Sequence, residues 1–181
     1  MNKSIDKNTE KYAAMPRSQV RRTDYQVTDT AQIKTWLHQG AYGVLATAHL
    51  DQPYATPVNY IYIEEDNDLY FHGARVGRMR ANLALNPKVS FNISQMGALV
   101  PGECISDFGV AYQSVTVFGT AARVDNPEKT LSVLLALMRK YFPDHTPGED
   151  YPLPEPDELQ RTAVYRIKIE EWSAKQLLED E

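Results

Sequence analysis

Apolar positions change period several times along the chain, and each change marks an element. Ile33, Trp36 and Leu37 recur at helical spacing, with Thr30 as the expected cap and Gly40 as the stop. From Ala41 to Ala48, and again from Tyr54 to Ile63, residues alternate or run apolar with Tyr, Val, Ile and Thr prominent. Leu50-Asp51-Gln52-Pro53 supplies the turn between them, so the pair predicts a β-hairpin. Glu65-Asp66-Asn67-Asp68 makes the next turn, and Leu69 to His72 is a short strand. A helix is expected from about Arg75 to Leu85, closed by Asn86-Pro87, because the residue before proline is pushed out of the helical region. Val89 to Ile93 resumes the strand pattern, Ser94 to Tyr112 lacks periodicity and is expected to be a loop, and Ser114 to Val124 is again a strand. Asn126-Pro127 opens a helix with Leu131, Leu134, Leu135, Met138 and Phe142 on its expected buried face. After a proline-rich connector, His145 to Pro156, Thr162 to Ile169 alternates as a last strand before a charged tail. Hairpin follows hairpin without early βαβ crossovers, which predicts a mainly β protein: a six-stranded antiparallel barrel with flanking helices.

With 181 residues the chain is long enough for one domain with its own core. We expect a flexible arm over residues 1–20 and a single domain over 21–181. Arg21 and Arg22 at the junction are read as solvated, as salt-bridge partners or as phosphate ligands. Cys104 is the single cysteine, which excludes an intrachain disulfide and points to a reducing compartment. His38, His49, His72 and His145 are scattered without zinc-ligand spacing. The first twenty residues hold no apolar stretch of signal-peptide length, and no span reaches transmembrane length, so a cytoplasmic protein is expected.

Charge is distributed unevenly. The chain carries 19 Lys and Arg against 24 Asp and Glu, a net charge of -5, and the pI of about 5.4 argues against non-specific nucleic-acid binding. Yet from Leu69 to Gly102 there is no acidic residue, while Arg75, Arg78, Arg80 and Lys88 all fall there. Solvated faces usually mix both signs, so the stretch is expected to hold an anion. At its start, His72-Gly73-Ala74-Arg75-Val76-Gly77-Arg78 joins an apolar strand to a helix through spaced glycines. Such a turn lets backbone N–H groups and a helix N-terminus face a phosphate while Arg supplies charged donors. Arg78, directly after Gly77, is the first choice as direct ligand; His72 at the strand end is a weaker one.

Pro57 lies inside the second apolar run and cannot donate a ladder hydrogen bond, so it belongs at an edge or bulge. The backbone of Thr56-Pro57-Val58-Asn59-Tyr60 is then free either to meet a flat heterocycle or simply to turn a barrel corner. Ser114 has no glycine elbow, Cys104 has no identifiable base, and Glu64 and Glu65 sit in a hairpin turn. No side chain is assigned a catalytic role, and hard chemistry would fall to a bound cofactor.

Four segments in this order resemble the FMN-binding split-barrel, or pyridoxamine 5'-phosphate oxidase-like, superfamily, and most nearly its Nim-type 5-nitroimidazole resistance nitroreductases. They are Gly43 to Thr47; Pro53 to Tyr60; Leu69 to Ala74 with Gly77-Arg78 and Asn86-Pro87; and Tyr112-Gln113-Ser114-Val115-Thr116-Val117-Phe118-Gly119. The resemblance runs from about Arg21 to Lys175. It implies a split-barrel homodimer with FMN at the subunit interface: Arg78 and Arg75 on phosphate, Thr56 to Tyr60 along the ring, and Phe71, His72, Gly73 and Ala74 along the ribityl chain and ring. Gln113, Ser114 and Trp172 would approach from the partner subunit. It further implies electron transfer from a reduced nicotinamide to a small acceptor such as a nitroaromatic. Nim-type relatives commonly carry a basic residue where this chain has Gln113. The C-terminal Arg-and-His motif of true pyridoxamine phosphate oxidases is replaced by Trp172-Ser173-Ala174-Lys175-Gln176, which disfavours vitamin B6 oxidation. Two other cofactors fit the superfamily: haem, with His72 as axial ligand in degradation, storage or sensing, and the deazaflavin F420.

Overall fold

The structure, a computed structural model, describes residues 6–177. In chain order its elements are α1 (Lys7–Ala13), a 3-10 turn (Thr23–Tyr25), β1 (Gln26–Val27), α2 (Thr30–Gln39), β2 (Gly43–His49), β3 (Gln52–Val58) and β4 (Tyr60–Ile63). There follow β5 (Asp68–Ala74), α3 (Arg78–Leu85), β6 (Lys88–Val100), β7 (Gly109–Arg123), α4 (Pro127–Tyr141), α5 (Pro156–Arg161) and β8 (Thr162–Leu177). All pairings between these strands are antiparallel, in the order β3-β2-β6-β7-β8-β5-β4, with β1 added to β8. The expected mainly β class with flanking helices is what the chain forms. The sheet, however, has eight strands rather than six and is open.

β3 and β4 are joined only through Asn59, yet they occupy the two ends of the sheet: Val58 pairs with Gly43 of β2, whereas Tyr60 pairs with Phe71 of β5. The expected single strand from Tyr54 to Ile63 is therefore two. Tyr60 holds the far side of the break with backbone groups that face a side chain: its N–H donates to Tyr141 Oη, and that hydroxyl donates to the Tyr60 carbonyl, both at 3.0 Å.

Inside the curled sheet lie Leu45, Tyr60, Leu69, Phe71, Phe91 and Val117, all fully buried, with α2 contributing Ile33, Trp36 and Leu37. The cap of α2 is Asp29, whose carboxylate accepts from Ala31 N, rather than Thr30. On the outside, α4 packs Val133 and Leu137 against Tyr70 and Val164. Its buried face is thus turned from the expected one: Leu131, Leu135 and Met138 are only partly buried, and Phe142 is exposed. Asn126 caps this helix through Lys129 N and Pro127 occupies its first turn, as expected.

The expected loop from Ser94 to Tyr112 is largely hairpin. Ser94 pairs with Ser114, Gln95 with Gln113 and Met96 with Tyr112; after a register shift Leu99 pairs with Val110. On the β6 side Ser94 to Leu99 are all exposed, Met96 and Leu99 by 66% and 71%, so this segment carries no in-out alternation, while on the β7 side Ala111 is buried. β8 likewise continues eight residues past Ile169. α5 lies C-terminal to the expected proline-rich connector and is closed by reciprocal bonds between Glu155 and Glu158. Within the N-terminal arm, α1 is followed by Arg17, which pairs with Glu170 at 2.7 Å and Glu171 at 3.0 Å, and by the buried Val20. Arg22 pairs with Asp24.

Candidate functional site

The turn after β5 joins a strand that ends at Ala74 to a helix that starts at Arg78. β5 is buried from Asp68 to Phe71, and the chain then emerges, with His72, Ala74 and Arg75 exposed. Gly77 caps α3 at φ 121°, a backbone conformation that side-chain-bearing residues rarely adopt, and a Cβ built there meets nothing within 4 Å. Conformation rather than crowding selects glycine here, and the space above the turn is open. Arg78 is the first residue of α3, beside N–H groups whose helical carbonyl partners do not exist. Gly73 is tighter, since a Cβ there would lie 3.0 Å from Met79 Cε. Among the described residues, Arg75, Arg78 and Arg80 form no salt bridge.

The arginines do not act as one group. Burial raises the Tyr165 hydroxyl pKa, and the charges of Arg80, Arg123 and Arg75 hold back part of that rise. Arg75 lines a cavity of about 290 Å³ and Arg80 one of about 430 Å³, and Arg123 and Asp125 border both. Arg78 lines neither and stays with Gly77.

β3 forms the second part of the site. It pairs only with β2, so its outer edge is unpaired in the subunit, and Pro57 sits on it without costing a ladder bond. Thr56 Oγ1 is buried and has no hydrogen-bond partner among the described residues. Val58 packs partly against the core, while Asn59 is exposed at the break. Two candidates contribute backbone only. The Tyr60 side chain is buried with its hydroxyl donating to Leu37 O at 2.7 Å, and the Phe71 ring stacks on Tyr165 within the core.

Gln113 and Ser114 line a third cavity, of about 410 Å³, with Trp36, Tyr42, Gln95 and Met96. Gln113 Nε2 donates to Gln95 Oε1 at 3.0 Å. No residue of the β3 edge or of the Gly77 turn lines this cavity, so within one subunit the candidates fall into two separate groups. Trp172 pairs with Val117 and packs partly against the core. Sequence reasoning missed Trp36, Tyr42, Met96 and Arg123 as lining residues. Arg123 carried no signal because Asp125 follows it; Trp36 was read on the apolar face of a helix, Tyr42 in a strand and Met96 in a loop.

At the β3-β4 break lies an unexpected buried cation. Lys140, at the end of α4, places Nζ 3.9 Å from the Tyr60 ring centroid, buried and without a hydrogen-bond partner among the described residues. Burial pushes its pKa down to about 8. Among the described residues there is no cluster of three or more His, Cys, Asp and Glu fit for a metal ion, and no helix is long and apolar enough to cross a membrane.

The profile of the family described as pyridoxamine 5'-phosphate oxidase matches residues 29–176. A search of curated proteins returns no match. Among solved structures, the flavocytochrome Anf3 from Azotobacter vinelandii superposes with a TM-score of 0.80 at 22% identity, covering 92% of this chain and 78% of that one. The FAD and heme binding protein from Mycobacterium smegmatis gives 0.76 at 20% identity, covering 84% and 73%. A candidate 5-nitroimidazole antibiotic resistance protein from Bacteroides thetaiotaomicron gives 0.69 at 21% identity, covering 83% and 86%. At these identities the likeness is one of fold.

Proposed function

The chain belongs to the pyridoxamine 5'-phosphate oxidase-like family, and from that premise we propose that it is an FMN-dependent oxidoreductase acting as a cytoplasmic homodimer. The observation that carries this reading is the turn at Gly77: an open, acid-free cradle at a helix start, with Arg78 in its first position. The β3 edge supports it, since Thr56 brings a buried hydroxyl lacking a partner and the strand brings free backbone groups. A phosphate on the turn and a heterocycle along the strand would satisfy both.

When bound, the flavin supplies the hydride-accepting and electron-donating chemistry. Arg78 and the first N–H groups of α3 would hold the phosphate, while Arg75 lies in a separate cavity. Thr56 to Asn59 and the Tyr60 backbone border the ring, and Phe71 to Ala74 the ribityl side. Gln113 and Ser114, with Trp36 and Tyr42, cover the ring from the partner subunit and exclude water, while Trp172 supports their strand. No side chain is assigned as acid or base. A small nitroaromatic is the proposed acceptor, in keeping with the 5-nitroimidazole resistance protein among the structural neighbours.

A second reading is haem binding through His72, favoured by two neighbours, the flavocytochrome and the FAD and heme binding protein. His72 is exposed, and no hydrogen bond occupies its imidazole among the described residues.

Mass spectrometry and the absorption spectrum of the purified protein separate these readings. Copurifying or reconstituted FMN, reduced by NADH or NADPH under argon and reoxidised by a 5-nitroimidazole, is the expected result. A Soret band that disappears in His72→Gln, from a protein with no affinity for FMN, would replace the flavin reading with haem. Deazaflavin F420 in the bound fraction would keep the fold's chemistry but change the cofactor.

A further inference from the structure

The arginines that leave the Gly77 turn converge elsewhere. Arg75, just past β5, and Arg123, at the end of β7, line one cavity, and Arg80, on α3, lines a second with Arg123 and Tyr165, whose hydroxyl donates to the Ala74 carbonyl at 3.3 Å. Asp125 is the acidic group that borders the same space, and it is held by Arg123 through Nε at 2.8 Å. Among the described residues, three guanidinium charges stand here against one carboxylate, in a chain whose net charge is -5. Two cavities flank the Arg123–Asp125 pair. The larger, about 430 Å³, has a wall of Leu83, Ala84, Pro87 and Ala121. The smaller, about 290 Å³, is closed by Val124, Pro127 and Leu159. Apolar walls beside a cationic centre suit a base or sugar next to a phosphate.

We propose that these two cavities form a second phosphate site, which takes the phosphate and nucleoside of an adenosine phosphate through Arg75, Arg80 and Arg123. Arg75 lies three residues before Arg78, so one turn would connect this site to the flavin cradle. The adenosine phosphate therefore comes from one of two sources: the distal half of a flavin dinucleotide, or the adenosine end of the nicotinamide donor. The proposal extends the flavin reading but is tested apart from it.

Calorimetric titration with ADP, on the flavin-free full chain, tests the site by itself. Wild type is expected to bind ADP, Arg80→Ala and Arg123→Ala to weaken it by about tenfold or more, and Asp125→Asn, which frees Arg123, to tighten it. Arg123→Lys keeps charge but loses the planar fork and should fall between wild type and Arg123→Ala. Titration with FAD and FMN then identifies the source. If FAD is the ligand, it binds wild type at least about tenfold tighter than FMN, and both alanine variants erase that advantage while leaving the FMN dissociation constant unchanged. If the donor is the ligand, FAD and FMN bind alike and the variants raise the KM for the nicotinamide without lowering kcat. Absence of ADP binding to wild type, or equal ADP affinity in wild type and all four variants, overturns the proposal. Failure of both flavins to bind while ADP still does would instead overturn the flavin reading and leave this site standing.

Discussion

Arg78 and Lys140 mark two extremes for a cation on this fold: one exposed beside an open turn, the other buried against a tyrosine. Removal of Arg78 leaves the α3 N–H groups in place but takes away the charged donor, which is worth about 1.5 to 3 kcal/mol to a phosphate. Arg78→Ala is therefore expected to raise the FMN dissociation constant by about tenfold or more in a fluorescence titration. An unchanged constant would take Arg78 out of the cradle. Lys140 bears on stability instead. Its pKa of about 8 lies below the ordinary 10.5, so between those values the unfolded chain binds more protons than the folded one. Stability due to this group accordingly rises with pH across that window and is lowest below it. Lys140→Met should be more stable than wild type in urea at pH 7, with the gap closing by about pH 10. A gap that stays constant with pH would mean that the amine is not desolvated. The Arg78 turn was legible from the chain because glycine spacing and missing acids are local signals. Lys140 was not, since a lysine near the end of an amphipathic helix reads as solvated until the β3-β4 break is seen beneath it.

At the scale of elements, sequence patterns located what is half-buried and missed what is not. β2 and α2 alternate or repeat cleanly because one face meets the core, while β5 is buried on both faces from Asp68 to Phe71 and reads as a short apolar run. The β6-β7 extension has backbone pairing but little core contact, so nothing in its composition announced a strand. The break at Asn59 was hidden for another reason: Tyr54 to Ile63 keeps its two-residue period straight through it, and only tertiary pairing reveals two strands. What holds the break is α4, whose Tyr141 hydroxyl bridges the N–H and carbonyl of Tyr60. Tyr141→Phe would leave that N–H without its partner, at a cost of about 1 to 3 kcal/mol. Thermal or urea unfolding should show the loss. Because β4 begins at this residue and β3 ends two before it, the variant should also loosen FMN while leaving residual binding through Arg78. Wild-type stability in the phenylalanine variant would show that the bridge holds nothing.

For the whole molecule, the division of the candidate residues into two separate groups is the strongest argument for a dimer. The Gly77 turn and β3 edge offer phosphate and backbone contacts but no cover for a ring, while the cavity of Gln113, Ser114, Trp36 and Tyr42 offers cover without a cationic residue in its lining. One subunit cannot close the site on itself if these two parts belong to one ligand. The exposed apolar residues Tyr42, Tyr54 and Met96 lie on those same parts and would be covered by such an assembly. Sedimentation is expected to give twice the 20.5 kDa chain mass, and a flavin-retaining monomer would contradict the shared site. Mixing tests the sharing directly. Arg78→Ala damages the phosphate side and Ser114→Arg fills the covering side, so each homodimer should hold flavin poorly. In a heterodimer formed by unfolding and refolding the two together, one site collects both damaged halves and the other collects neither. Flavin binding should therefore recover at one site per mixed dimer, with wild-type affinity. No recovery in dimers proven mixed by mass would mean that Arg78 and Ser114 of the same chain serve the same flavin, or that they do not share a site at all.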